Sequence, residues 1–177
     1  MAELLQIFIW FVCSEILRMH PSEQLRIFEE SSLNGKRGRD MSEQELIRQA
    51  LWARRHAYAP YSNFYVGAAL EAEDGTIFSG CNIENAAFTP GNCAERTAIF
   101  KAVSQGVRTF RRIAIAGGHE EGNVVSGYAA PCGVCRQVMM EFCNPKTFEI
   151  LVAKSEEDYR KYTLEQLLPE GFGPSNL

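Results

Sequence analysis

Histidine is scarce, with only His20, His56 and His119 in 177 residues, and none stands at a metal-ligand spacing or in the company of a catalytic triad. Each therefore reads as a structural or surface residue. Positive charge is short as well: 18 Lys and Arg face 22 Asp and Glu, for a net charge of -4. With no basic stripe to neutralise phosphates, a nucleic-acid partner is excluded as a working idea, and a small neutral or cationic ligand fits better. Long apolar runs are missing too. Residues 4–12 are apolar except for Gln6, far short of the roughly 20 residues that span a bilayer. Glu3, and no Lys or Arg, precedes that run, which is a poor match to a signal peptide, so no membrane association is expected. There is no internal repeat, and Gly117 and Gly118 lack the rest of a phosphate-loop pattern.

What is present suits one globular domain, with 46% hydrophobic and 23% charged residues. Six cysteines could form disulfides in a secreted chain, but their clustering as Cys93-Ala94-Glu95 and Pro131-Cys132-Gly133-Val134-Cys135 is typical of metal binding in a reduced cytoplasm. Cys13, Cys81 and Cys143 remain as small packed thiols, Cys81 on a strand and Cys143 on a helix. Residues 34–40 read as a linker, after which Ser42 and Glu45 are spaced as a capping box. Residues 1–40 are therefore expected to be an extension dispensable for activity, with Met41 a candidate natural start and 41–177 the catalytic domain.

The periodicity predicts a helix over 42–58, stopped by Pro60, then strands over 65–73 and 76–84 joined by a two-residue Asp74-Gly75 hairpin. Helix over 93–105, strand over 112–116, helix over 132–142, strand over 148–153 and a helical turn over 163–168 follow. Alternation of helices with strands after an opening hairpin points to an α/β fold, a three-layer α-β-α sandwich with a mixed sheet of about five strands.

Structural zinc sites use four protein ligands, whereas hydrolytic ones use three and keep a position for water. Cys132 and Cys135, three apart at a helix start behind Pro131, present their sulfurs on one face. Cys93 and Glu95 are two apart, which in a helix interior points them about 200° apart around the axis. Both reach one site only if it lies off a helix N-terminus, where the positive end of the helix favours thiolates. Three thiolates with Zn²⁺ carry a net negative charge, and Arg96 is placed to draw charge from the sulfurs, its alternative being a surface ion pair. Glu95 is then a base that becomes an acid, as hydrolytic deamination requires; its alternative is a helix-capping acid.

Residues 81–86 (Cys-Asn-Ile-Glu-Asn-Ala), 93–96 (Cys-Ala-Glu-Arg) and 131–137 (Pro-Cys-Gly-Val-Cys-Arg-Gln) together closely resemble the small, homotetrameric cytidine deaminases. The resemblance runs from about Ser42 to the C-terminus. It implies Zn²⁺ held by Cys93, Cys132 and Cys135, Glu95 as proton shuttle, Asn82 and Glu84 as ribose ligands, and Ala94 in the substrate site. Strand periodicity independently brings Asn82 and Glu84 to one side. The acid would repel a phosphate, so a free nucleoside is the expected substrate. Residues 61–67 resemble the family segment in which Phe64 packs on the pyrimidine, with plain core packing as the alternative. Phe172 matches a C-terminal aromatic that covers the base in a neighbouring subunit's site, implying a homotetramer with shared active sites. Tyr65 stands where the family usually has Pro, Phe88 where it often has Tyr, and the 117–130 segment is longer and richer in Gly than in compact relatives. Two other functions stay open at this point. Another aminopyrimidine could be the substrate, against which Asn82 and Glu84 speak, or the chain could be a zinc-binding interaction module, against which Glu95 speaks.

Overall fold

The structure, a computed structural model, describes residues 41–119 and 125–177, all within the second of the two units, Met1–Arg39 and Asp40–Leu177, into which the chain divides. The expected extension over 1–40, His20 and Cys13 lie outside the described residues, as does the middle of the 117–130 segment.

Ser42 starts helix α1 (Glu43–Arg54) by accepting the Glu45 N–H on its hydroxyl at 3.1 Å. Only half of the expected capping box forms, because the Glu45 carboxylate accepts from Arg48 at 2.5 Å and from Gln49 at 3.3 Å instead. The helix ends earlier than expected, and the chain turns before Pro60. Strands β1 (Tyr65–Ala72) and β2 (Ile77–Cys81) pair antiparallel. Their turn has three residues rather than two: Ala72 N donates to Thr76 O at 2.9 Å, and Gly75 takes the left-handed conformation at φ 84° that lets the chain return. Helix α2 (Ala94–Ser104), strand β3 (Phe110–Gly118), helix α3 (Gly133–Phe142), strands β4 (Glu149–Ala153) and β5 (Tyr159–Thr163) and a short helix α4 (Leu164–Leu167) follow.

The sheet order is β2-β1-β3-β4-β5, with β3 and β4 parallel and the other pairs antiparallel. Alternation along the central strands supplies two apolar faces. Ala69, Ala114, Ala116, Leu151 and Ala153 pack under Leu46, Ile47, Ala50 and Leu51 of α1. Ala68, Leu70, Ile113, Ile115, Ile150 and Val152 meet Ala98 and Ile99 of α2, Met139 of α3 and Leu164 of α4. The result is the expected three-layer sandwich on a five-stranded mixed sheet. The edge strand β5 escapes periodicity because Arg160 and Lys161 are exposed, as suits an edge that must not pair further. It is tied back by Glu43, which accepts from Lys161 Nζ at 2.7 Å and from the Tyr159 hydroxyl at 2.6 Å. None of the described helices is long and apolar enough to cross a membrane.

The packing is tightest where helices cross glycines. A Cβ on Gly67 would lie 2.1 Å from Ala50 O in α1, and one on Gly80 would lie 2.5 Å from Ala94 O in α2. Both helices thus rest directly on strand backbone, and the second contact fixes the height of the N-terminus of α2 over the sheet.

Candidate active site

Cys93 and Cys132 occupy the N-cap positions of α2 and α3, where Ser, Thr, Asp or Asn usually accepts a backbone N–H. Neither sulfur makes that cap bond. Instead they turn toward each other and toward Cys135, one turn into α3: Cys93 Sγ lies 3.9 Å from Cys132 Sγ, Cys132 Sγ lies 3.5 Å from Cys135 Sγ, and all three fall within 4.8 Å of one another. Sulfurs on a tetrahedral zinc with bonds of about 2.3 Å sit about 3.8 Å apart, so the cluster has the spacing the ion needs. The two helix N-termini direct unpaired N–H groups and positive dipole ends to this side, which favours thiolates.

Electrostatics set Cys93 and Cys135 apart. The hydrogen bond with Cys135, reinforced by Arg96, holds the Cys93 thiol down at about 5. Cys135 is driven up by the same bond and by burial. Arg96 donates from Nη2 to Cys93 Sγ at 3.6 Å and to Gly91 O at 3.4 Å, while its buried Nε has no partner. It therefore faces the thiolate, not a surface carboxylate.

Glu95, second residue of α2, is only 4% exposed. Burial pushes its carboxyl above the ordinary range, and the nearby Cys93 sulfur pushes the same way. A buried acid beside a thiolate cluster is not serving as a solvated cap. Ala94, between Cys93 and Glu95, is fully buried.

Beside the cluster opens a cleft of about 510 Å³, with Cys93 and Arg96 in its lining and Asn82, Ile83, Glu84, Tyr61, Ser62 and Phe88 around them. Strand β2 stops at Cys81, short of the expected Glu84. Extended backbone nevertheless continues through bridges: Tyr58 N donates to Asn82 O at 3.0 Å, Glu84 N to Tyr58 O at 2.8 Å, and Ile83 exchanges bonds with Asn92 at 2.9 and 2.8 Å. Asn82 and Glu84 therefore both line the cleft. The Asn82 amide clasps the approach to β1, accepting from Val66 N and donating to Phe64 O, each at 2.8 Å. Glu84 accepts from Tyr61 N at 2.9 Å, from Ser62 N at 3.2 Å and from the Ser62 hydroxyl, and these bonds hold its carboxyl below the usual range.

Phe64, Ala94 and Phe172 do not line the cleft of the single chain. Phe64 is half-buried with its ring edge-on to His119 at 5.0 Å. Phe172 is 59% exposed, and its carbonyl accepts from Gln137 Nε2 at 2.8 Å. Phe88 is 83% exposed at φ 55°, a rim residue in left-handed backbone. No separate role for Tyr61 or Ser62 is legible in the sequence. The available signal was the turn chemistry of Ser62, whose hydroxyl accepts from Phe64 N two residues on at 3.0 Å.

Three converging sulfurs, a buried acid and an adjoining cleft define a zinc hydrolase. A family model for the cytidine and deoxycytidylate deaminase zinc-binding region matches residues 40–151. Cytidine deaminases from Sporosarcina psychrophila and Halalkalibacterium halodurans are 48% and 44% identical over 137 and 132 residues, covering 77% and 75% of this chain and 96% and 95% of theirs. The crystal structure of a cytidine deaminase from Burkholderia pseudomallei, 47% identical, matches 75% of this chain and all of its own with a TM-score of 0.68. The chain belongs to the cytidine and deoxycytidylate deaminase family.

Proposed function

We propose that the protein is a zinc-dependent hydrolase that deaminates cytidine and deoxycytidine to uridine and deoxyuridine with release of ammonia, a reaction of pyrimidine salvage. The observation that carries this is the meeting of the Cys93, Cys132 and Cys135 sulfurs with buried Glu95 beside a cleft lined by Asn82 and Glu84. Cys93, Cys132 and Cys135 would hold the ion, which when bound supplies the Lewis acidity that makes water nucleophilic near neutral pH. Glu95 receives a proton from the attacking water and shuttles protons onward, so that of the two protons water brings one ends on ring nitrogen N3 and one on the amino nitrogen, which departs as ammonia. Burial raises the Glu95 pKa, the direction that favours the protonated form that hands the proton on. Arg96 tempers the negative charge of the sulfurs.

Asn82 and Glu84 receive the sugar hydroxyls. After the contacts described, Asn82 retains one amide N–H and Glu84 one acceptor position for a ligand. Phe64 and Ala94 complete the base side. The exposed Phe172 covers the base in a neighbouring subunit's site, so the working form is a homotetramer with shared sites. The need for three reduced thiols supports a cytoplasmic location. Residues 1–40 take no part in catalysis.

Ammonia release from cytidine, deoxycytidine and their 5′-monophosphates tests the substrate class. The nucleosides are expected to turn over and the monophosphates to be poor substrates, because Glu84 is held as an anion. Equal turnover of the monophosphates would overturn the nucleoside assignment.

A further inference from the structure

Glu84 is half-buried at the cleft, and a glutamate side chain that is not tied down samples many rotamers. Here the segment after Pro60 fixes it. A carboxylate offers about four lone-pair positions. Tyr61 N and Ser62 N occupy two on Oε2, at 2.9 and 3.2 Å, and the Ser62 hydroxyl occupies one on Oε1. The same Ser62 oxygen also accepts from Phe64 N at 3.0 Å. Phe64 O in turn accepts from Asn82 Nδ2 at 2.8 Å, which closes a chain of bonds from Glu84 to Asn82. Between Ser62 and Phe64, Asn63 holds left-handed backbone at φ 53°, secured by its N–H to Ala59 O at 3.0 Å. One serine hydroxyl thus links the carboxylate on the sugar side with the backbone that aims the aromatic ring on the base side.

We infer that Ser62 is a positioning residue of this site, its hydroxyl orienting Glu84 for the sugar and registering Phe64 against it so that the two halves of a nucleoside are met as one unit. The inference rests on the nucleoside substrate proposed above. Ser62 touches neither the reacting atoms nor the sulfurs, so its loss weakens substrate capture and leaves chemistry intact. A serine that only shaped the turn would act regardless of whether Glu84 were present.

The test is a cycle of Ser62→Ala, Glu84→Ala and the double variant, with Ser62→Thr as the variant that keeps the hydroxyl. Steady-state deamination of cytidine is read together with calorimetric binding of uridine, which carries the same sugar and is not turned over. Ser62→Ala is expected to raise KM and weaken uridine binding about tenfold, the scale of one lost charge-assisted hydrogen bond, with kcat within about twofold of wild type. Ser62→Thr is expected to restore both. In the Glu84→Ala background only the bond from Phe64 N is left to lose, so removing the serine hydroxyl is expected to weaken binding by clearly less, about threefold at most. An equal penalty in both backgrounds, or an unchanged KM in Ser62→Ala, would overturn the inference while leaving the substrate intact. A wild-type protein that neither deaminates cytidine nor binds uridine would overturn the nucleoside substrate, and the inference with it.

Discussion

Adding one methyl group at Gly80 should damage catalysis from beneath the site. Gly80 is buried in β2 under the first turn of α2, and an alanine Cβ there would lie 2.5 Å from both Ala94 O and Ala98 N. Ordinary contact begins at 3.4 Å, so α2 must lift by about 0.9 Å. Both obstructing atoms are backbone, so no side chain can swing aside to absorb the methyl. Ala94 lies between Cys93 and Glu95, so the lift is passed directly to one sulfur and to the buried carboxyl of Glu95. Overpacking of this kind costs about 1–3 kcal/mol of stability, and a misplacement near 1 Å costs about 10²-fold in rate. Gly80→Ala is therefore expected to lower the urea midpoint by the equivalent of about 2 kcal/mol and kcat for cytidine by about 10²-fold. Gly127→Ala, with nothing among the described residues within 4 Å of the new Cβ, serves as control and should match the wild type. Wild-type kcat and wild-type midpoint in Gly80→Ala would refute the claim that this contact sets the height of the site.

Three further outcomes are expected. Arg96→Gln removes the cation that faces Cys93 Sγ and should weaken zinc affinity about 10–100-fold in a chelator competition; unchanged affinity would remove Arg96 from the site. Glu43 is held below the usual carboxylate range by Lys161 and then by Tyr159, so its contribution is present above the unfolded pKa and is lost as pH falls through the lower folded one. Glu43→Gln should accordingly cost about 0.5–1 kcal/mol at pH 7 in urea titrations, and the gap from wild type should close as pH falls below about 4; a pH-independent gap would assign the loss to packing. A Met41–Leu177 chain should keep the kcat of the full protein, and its loss would give residues 1–40 a catalytic role.

The convergence of the cysteines was legible because it follows from local geometry. Cys93 and Glu95, two apart, can share a site only at a helix start, and Cys93 is the N-cap of α2. The two-faced sheet was legible through the near-continuous apolar runs of β1, β3 and β4, which are buried on both sides. Strand β5 was not, since Arg160 and Lys161 carry no apolar alternation. Nor was the end of β2: residues 82–84 keep extended backbone, but their bonds go to Tyr58 and Asn92, partners remote from the hairpin. Ser62 was hidden for a related reason. Its importance lies in reaching Glu84 across 22 positions of chain, and no local pattern marks such a contact. The opposite pKa directions of Cys93 and Cys135 come first from the bond between them, then from burial, with Arg96 also acting on Cys93, and spacing reveals none of this.

The most direct measurement is zinc content together with ammonia release from cytidine, on the full chain and on its Glu95→Gln variant. Equal zinc in both proteins is expected, with turnover in the wild type and a loss of about 10²–10⁴-fold in the variant. A zinc-loaded Glu95→Gln variant that deaminates cytidine at the wild-type rate, or a zinc-loaded wild type that releases no ammonia, would contradict the account.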